Sequence, residues 1–337
     1  MTAAAAGLRP LGRGGLRVGQ NSFGVAPIAN LGHEITDEAA FDTLEAAWSA
    51  GVRYFDAAPH YGLGLGERRL GEFLRTKPRD QFVISTKVGR LLVENPLGEQ
   101  PDDDGFAVTS PLVRQRDYSS DGVRRSLDES LQRMGLDRVD VVFVHDPDDF
   151  FAEAMDGAFP ALDALRRDGT IVSYGAGMNQ TEMLTRFVQG TDLDVVMCAG
   201  RYTLLEQGAL DDLLPAAEAR GVSVVAAAVF NSGLLARDRP SPGATYNYAP
   251  APAELIARVN AIADVCEAHG VTLPAAALQF ASGHPRVATV CTGARSADQV
   301  ERNARLFDVR IPAALWDALK TGGLVHEGTP TPEEAIA

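Results

Sequence analysis

The chain has 337 residues and a formal net charge of −14 at neutral pH, from 31 Lys and Arg against 45 Asp and Glu; 45% of its residues are hydrophobic. A chain of this size buries about three quarters of its unfolded surface, so it needs neither disulfides nor a structural metal. Its acidity excludes the clustered basic surface that nucleic acid or an anionic membrane requires. Cys198, Cys266 and Cys291 are odd in number and far apart, which fits a reducing compartment. Met1–Gly7 is too short and uncharged for a signal peptide, and no stretch approaches 18 uninterrupted apolar residues, so the cytoplasm is expected.

In chain order, Leu8–Gly19 reads first as a β-hairpin turning on Gly12-Arg13-Gly14-Gly15. One rhythm then repeats: a short apolar run, a turn and a helical pattern. Ser22–Val25 precedes a helix over Asp37–Ala50, and Tyr54–Ala57 and Phe82–Val88 are the next strands. Gly89–Tyr118 follows as a loop of about thirty residues, a length typical of lids or unstructured segments; its acidic run at 102–104 reads as a solvated tip. Helices are then expected over Ser119–Met134, Phe159–Arg167, Thr181–Val188, Leu210–Arg220, Pro252–His269 and Ser296–Leu306. The strands Val139–His145, Ile171–Ala176, Val195–Ala199, Val222–Val229 and Thr289–Thr292 alternate with them. Trp316 lies in a last helical pattern and Trp48 in the first, both as core residues.

Eight strand–helix alternations with short connections argue for a parallel sheet, and eight strands suffice to close a barrel without edges. An open doubly wound sheet is the competing architecture. No linker or low-complexity tract divides the chain, so residues 1–337 read as one α/β domain, with 8–19 as the hairpin and 89–118 as the long loop.

The informative polar residues end strands. Asp56, Lys87 and His145 close three consecutive apolar runs, and Tyr61 follows Asp56 in Pro59-His60-Tyr61-Gly62. A buried strand that finishes in a charge must place it in a polar pocket or beside a partner. A free phenol titrates near 10, too high for a proton carrier at neutral pH. A neighbouring ammonium lowers that value, and a carboxylate keeps the ammonium charged. Asp56, Lys87 and Tyr61 supply these roles, with neutral His145 to hydrogen-bond a substrate oxygen. Such a site moves a proton at oxygen, and the hydride belongs to a cofactor. A structural Asp56–Lys87 ion pair is the bland alternative. His33, His60, His269, His284 and His326 show no ligand spacing and read as surface or packing residues, and Cys291 reads as packing. Gly62-Leu63-Gly64-Leu65-Gly66 lacks the spacing of a dinucleotide fingerprint and reads as a turn holding Tyr61.

From about Ser22 to Phe307 the chain resembles an aldo-keto reductase, through Phe55-Asp56-Ala57-Ala58-Pro59-His60-Tyr61-Gly62, Ser85-Thr86-Lys87 and Phe143-Val144-His145. The resemblance implies a (β/α)8 TIM barrel, an extended NAD or NADP across its C-terminal face, and no metal. It puts Asp56, Tyr61, Lys87 and His145 at the catalytic positions. It puts Asn179 at the nicotinamide carboxamide, Phe230-Asn231-Ser232-Gly233-Leu234 along the pyrophosphate, and Gly293, Arg295, Gln299 and Asn303 on the adenosine side; Asp56 also borders the cofactor.

Four positions depart from the family pattern. Met178 replaces a Ser, Ala199 a Gln, Ala226-Ala227-Ala228 lacks the stacking aromatic, and Gln299 replaces an Arg. The Lys-Ser pair of NADP-preferring members is absent, which points to NAD, while Arg295 remains able to meet a 2′-phosphate. Arg201-Tyr202-Thr203-Leu204-Leu205-Glu206-Gln207 is similar to the branch containing L-fucose or D-threo-aldose and L-galactose 1-dehydrogenases and pyridoxal 4-dehydrogenase. That branch implies oxidation of a cyclic hemiacetal to a lactone. A reductase of aldehydes or ketones working with NADPH, and a cofactor-binding regulatory subunit like the potassium-channel β subunits, are the other readings. The oligomeric state is open.

Overall fold

The computed structural model describes residues 7–247 and 249–332, so the opening Met1–Gly7 segment lies outside them apart from Gly7. Eight parallel strands close into a barrel: β1 Asn21–Gly24, β2 Tyr54–Asp56, β3 Val83–Val88, β4 Val141–His145, β5 Ser173–Met178, β6 Val195–Ala199, β7 Ser223–Ala227 and β8 Val287–Thr292. Each strand pairs with the next in sequence, and β8 returns to β1, so the open-sheet alternative is excluded. β4 and β5 begin two residues later than their apolar runs because Val139 and Ile171 are buried in the approach to the strand. β7 stops at Ala227 because Ala228 takes φ +52° and turns the chain.

The N-terminal hairpin, Arg9–Leu11 paired with Leu16–Val18, closes the bottom of the barrel. Leu11 and Val18 are buried in one apolar cluster with the inward-facing Tyr54, Phe143, Met197 and Val225. Polar contacts fix the hairpin there: Arg9 Nη1 donates to Val287 O at 2.7 Å, and Gly12 N donates to Ser223 Oγ at 2.9 Å.

Among the described residues, ten α-helices of eight residues or more surround the strands: α1 Asp37–Ser49, α2 Leu65–Leu74, α3 Ser120–Met134, α4 Phe159–Arg167, α5 Thr181–Gly190, α6 Leu213–Arg220, α7 Ala253–Ala268, α8 Leu273–Phe280, α9 Ala297–Phe307 and α10 Ala313–Thr321. Among the described residues, none is long and apolar enough to cross a membrane. Thr36, Ser119 and Ser296 cap α1, α3 and α9 by accepting from the backbone N–H three residues on. The sequence points to a helix after the Gly62–Gly66 turn but does not bound α2, and α8 is not legible in it, for opposite reasons. Every residue of α8 is buried, so no polar face interrupts it. In α2 two of the four charged residues point inward: Glu67 accepts from Thr86 Oγ1 at 2.6 Å and pairs with Arg133, and Arg69 donates to the carbonyls of Ile28 and Ile35.

Residues 89–118, read as a long loop of the lid or unstructured type, carry strands of their own. Arg90–Glu94 pairs antiparallel with Leu112–Arg116, and Gln100–Pro101 with Thr109–Ser110, forming a β-ribbon that folds over the C-terminal mouth of the barrel. The 102–104 run is also more than a solvated tip. The side chain of Asp102 is almost wholly buried against Arg114 and accepts from the backbone N–H of Asp104 and Phe106.

α2 crosses α3 at Gly71, where an added Cβ would lie 2.1 Å from Met134 O. Gly→Ala usually stabilises a helix interior. Here we expect Gly71→Ala to destabilise by about 1–3 kcal/mol through overpacking, seen as a lower urea midpoint. A midpoint at or above that of the wild type would refute the close crossing.

Candidate active site

Closure of the barrel sets Asp56, Lys87 and His145 side by side, because Asp56 and His145 end their strands, Lys87 is next to last in β3, and β2, β3 and β4 are neighbours. Lys87 is 1% exposed. Its Nζ donates to Asp56 Oδ2 at 2.5 Å, to Ala57 O at 3.0 Å and to Tyr61 Oη at 2.9 Å, which satisfies its three N–H groups. Asp56 is held in turn by Ser85 Oγ at 2.7 Å, and Ser85 by Tyr54 Oη at 3.1 Å. A continuous hydrogen-bonded chain therefore runs from Tyr54 inside the barrel to Tyr61 at its mouth.

Tyr61 reaches Lys87 from the turn after β2. Gly62 next to it has φ +60°, and an added Cβ there would lie 2.5 Å from Ala29 O. The turn thus needs glycine both for its backbone angle and for its closeness to the segment after β1. The His145 ring stands edge-on to Tyr61, with centroids 5.8 Å apart.

The electrostatics differ in one respect from the sequence expectation. Lys87 does pull the Tyr61 phenol down, but burial outweighs it, and the phenol is pushed up to about 12. Burial also acts to lower the Lys87 ammonium, but Asp56 and Tyr61 overcome it, so Lys87 stays charged and above its ordinary value. His145 is held well below the usual imidazole range, first by burial and then by the cations Arg90 and Lys87.

The four side chains open onto a cavity of about 340 Å³ that is also lined by His60, Phe106, Asn179, Asn231, Ser232 and Gly293. Three participants were not evident from the sequence. His60, read as a surface or packing residue apart from its adjacency to Tyr61, packs beside both Tyr61 and His145, with its ring 5.9 Å and 5.5 Å from theirs. Arg90 Nη1 lies 3.1 Å from His60 Nδ1, and Arg90 Nη2 donates to Asp146 Oδ2 at 2.5 Å. Phe106, from the ribbon tip, faces the Tyr61 ring at 6.2 Å. Adjacency was the available signal: His60 precedes Tyr61, and Arg90 opens the long insertion directly after β3.

The residues matched to cofactor positions divide into two groups. Asn179, Asn231, Ser232 and Gly293 line the cavity, whereas Phe230, Gly233, Leu234, Arg295, Gln299 and Asn303 lie outside its lining. Asn231, Ser232 and Gly233 run through three consecutive left-handed conformations, which turn the chain sharply after β7. Asn231 and Asn303 are buried, and each has a side-chain oxygen with no protein partner. Arg295 Nη1 meets the His33 ring at 2.7 Å, and Gln299 Oε1 accepts from Arg295 N at 3.1 Å. Cys291 is buried and its thiol is pushed up to about 12, in keeping with a packing role.

Residues 16–321 match the Aldo/keto reductase family. The chain belongs to that family. It is 46% identical to a D-threo-aldose 1-dehydrogenase from a Pseudomonas species, over 94% of this chain and 97% of that protein. It is 40% identical to a pyridoxal 4-dehydrogenase from Microbacterium luteolum, with the same coverage. Among solved structures, the holo form of an aldo-keto reductase from Bacillus halodurans shares the fold, with a TM-score of 0.75 at 24% identity over 94% of this chain and 95% of that one.

Burial, followed by Arg90 and Arg114, lowers the His60 imidazole from 6.5 to about 2. The unfolded chain therefore binds a proton below pH 6.5 that the folded chain refuses, and this part of the stability, complete above 6.5, is lost as pH falls. We expect His60 to add about tenfold per pH unit to the acid-side fall of the folding equilibrium. In urea titrations at pH 7 and pH 5, His60→Asn should show a shallower loss. An equal loss in both proteins would exclude a neutral buried His60.

Proposed function

We propose that this aldo-keto reductase is an NAD(P)-dependent dehydrogenase that oxidises an aldose of the L-fucose, L-galactose or D-threo-aldose type at C1 to its lactone, with Tyr61 handling the proton. One observation carries the reading: a phenol 2.9 Å from a buried ammonium, itself 2.5 Å from a carboxylate, at a cavity that an imidazole also faces. The likeness to a D-threo-aldose 1-dehydrogenase supports the choice of substrate.

Bound nicotinamide supplies the hydride acceptor. Asn179, the Phe230–Leu234 turn and the segment from Gly293 through Arg295 and Gln299 to Asn303 are the residues that would hold it. The partnerless buried oxygens of Asn231 and Asn303 fit a ligand that brings hydrogen-bond donors. Gln299 brings no second cation to that segment, which favours NAD over NADP.

On this reading Tyr61, as phenolate, accepts the proton of the anomeric hydroxyl, and Lys87 stabilises the phenolate across the 2.9 Å contact. Asp56 holds the Lys87 charge in place. Neutral His145 hydrogen-bonds the reacting oxygen and orients it. The half-exposed carboxylate of Asp104, with His60 and Asn179, gives the cavity wall polar groups suited to sugar hydroxyls. The paired Phe106 and Tyr61 rings favour a second reading, an aromatic substrate such as pyridoxal, which the Microbacterium luteolum relative acts on by name.

The test follows NAD(P)H absorbance with a panel of free sugars and pyridoxal. Tyr61→Phe should cut turnover by about 10²- to 10⁴-fold and leave cofactor affinity unchanged; full activity in that variant would sink the role. The phenol titrates near 12 and the oxidation uses its deprotonated form, so rates should climb about tenfold per pH unit on the alkaline side. Lys87→Met removes a charge that pulls the phenol down, so its rate at any given pH should be lower. Tight cofactor binding without turnover of any carbonyl or alcohol would instead favour a regulatory subunit.

A further inference from the structure

The roots of the β-ribbon grip the backbone that carries His145. Asp146, directly after β4, takes φ +41°, a left-handed conformation that costs a non-glycine residue about 1 kcal/mol or more. Such a conformation persists only where its surroundings hold it. Asp146 N donates to Gly177 O at 3.1 Å, and its carboxylate meets Arg90. The carbonyls are held from the other root: Tyr118 Oη lies 2.7 Å from His145 O and 2.9 Å from Asp146 O, while Arg116 Nη1 donates to Asp146 O at 2.7 Å and to Tyr118 Oη at 2.8 Å.

A phenol carries one proton, so Tyr118 can satisfy one of these carbonyls at a time. Arg116 supplies the other bond, and the two donors together cover both acceptors. The ring that delivers this hydroxyl has a place made for it. It is 2% exposed and packs on Phe150, and an added Cβ at Gly89 would lie 2.2 Å from its Cε1. Gly89 has φ +101°, so the residue that opens the ribbon gives up its side chain and seats the ring that closes it. Burial keeps the Tyr118 phenol above its ordinary value, so it stays a donor across the working pH range.

We propose that Tyr118, backed by Arg116, is a positioning residue for the reaction: its hydroxyl fixes the carbonyls of His145 and Asp146 and so holds the His145 imidazole at the cavity, making that ring's aim depend on the seating of the ribbon. The proposal rests on the reading that His145 contacts the substrate oxygen.

Tyr118→Phe keeps the ring and its packing and removes only the hydroxyl. A displacement on the ångström scale at a reacting group costs up to about 10²-fold, so kcat should fall by ten- to a hundredfold with KM and cofactor affinity little changed. In the uncomplexed protein, the ¹⁵N signals of the His145 imidazole should shift. A merely structural role would lower the melting temperature without moving those signals. Wild-type turnover with unchanged His145 signals would overturn the proposal. His145→Ala separates it from the underlying reading. If His145→Ala lowers turnover, Tyr118→Phe should cost little more in that background; an undiminished extra cost there would overturn the proposal and leave the role of His145 standing. If His145→Ala leaves turnover intact, the reading itself fails and the proposal with it. Arg116 is exposed, so Arg116→Met tests the same grip if the Tyr118 variant does not fold. It should give a smaller loss of the same kind, again in kcat, and an unchanged kcat would count against the grip.

Discussion

The structure at the barrel mouth depends on one buried ammonium. Lys87 is removed from water, which would neutralise it if it stood alone. It stays charged because Asp56 and Tyr61 sit at hydrogen-bond distance and Ala57 offers a carbonyl. A buried pair of this kind is poor as a source of stability, since desolvation offsets most of the attraction. Its value is geometric: three groups with complementary protonation needs are locked in one arrangement. That arrangement exists only because β2 and β3 are hydrogen-bonded neighbours whose C-terminal ends bring Asp56 and Lys87 to the same cavity.

The surroundings reinforce the protonation pattern. Carboxylates approach both imidazoles, Asp146 at 3.5 Å from His145 and Asp104 at 3.9 Å from His60, yet cations outweigh them. Burial is the largest cause that lowers the affinity of the two rings for a proton, Arg90, Lys87 and Arg116 act on both, and Arg114 acts on His60. Lys87 remains an ammonium while His145 a few ångströms away remains neutral. The site therefore holds a fixed charge and an uncharged hydrogen-bonding partner side by side, which is what separate roles in proton transfer and in orienting an oxygen require.

The parts of this arrangement that could be read from the sequence are those where local chemistry and burial disagree. A strand of Val and Phe ending in His145, or one ending in Lys87, stands out because an apolar run should not finish in a charge. Eight such strands with helices between them give the barrel. The ribbon was hidden because Gln100–Pro101, Thr109–Ser110 and Leu112–Arg116 have no buried residue, and its one buried strand, Arg90–Glu94, runs through Leu91-Leu92-Val93 without alternation. The bounds of helix α2 were hidden because Glu67 and Arg69 point inward and find partners from β3, α3 and the segment between β1 and α1, inverting the usual polarity. Asp102 looked like a solvated tip because its partner Arg114 is brought beside it only when the ribbon folds back. These misreadings share one cause: a polar residue whose partner is distant in sequence looks exposed until the fold pairs them.

The ribbon is thus more than a cover. Its tip brings Phe106 and Asp104 to the cavity, and its two roots hold the residue after His145. A segment attached at both of these places cannot move its tip freely while its roots stay seated, because the antiparallel pairing from Arg90–Arg116 to Glu94–Leu112 transmits the position of one to the other. The part of the molecule that forms the outer wall of the cavity is therefore mechanically continuous with the backbone that carries the His145 imidazole. In barrel enzymes the catalytic residues come from strand ends while the βα loops vary. Here the segment after β3 reaches back to a strand end: Arg90 and Arg116 both hold Asp146, and Gly89 seats the Tyr118 ring.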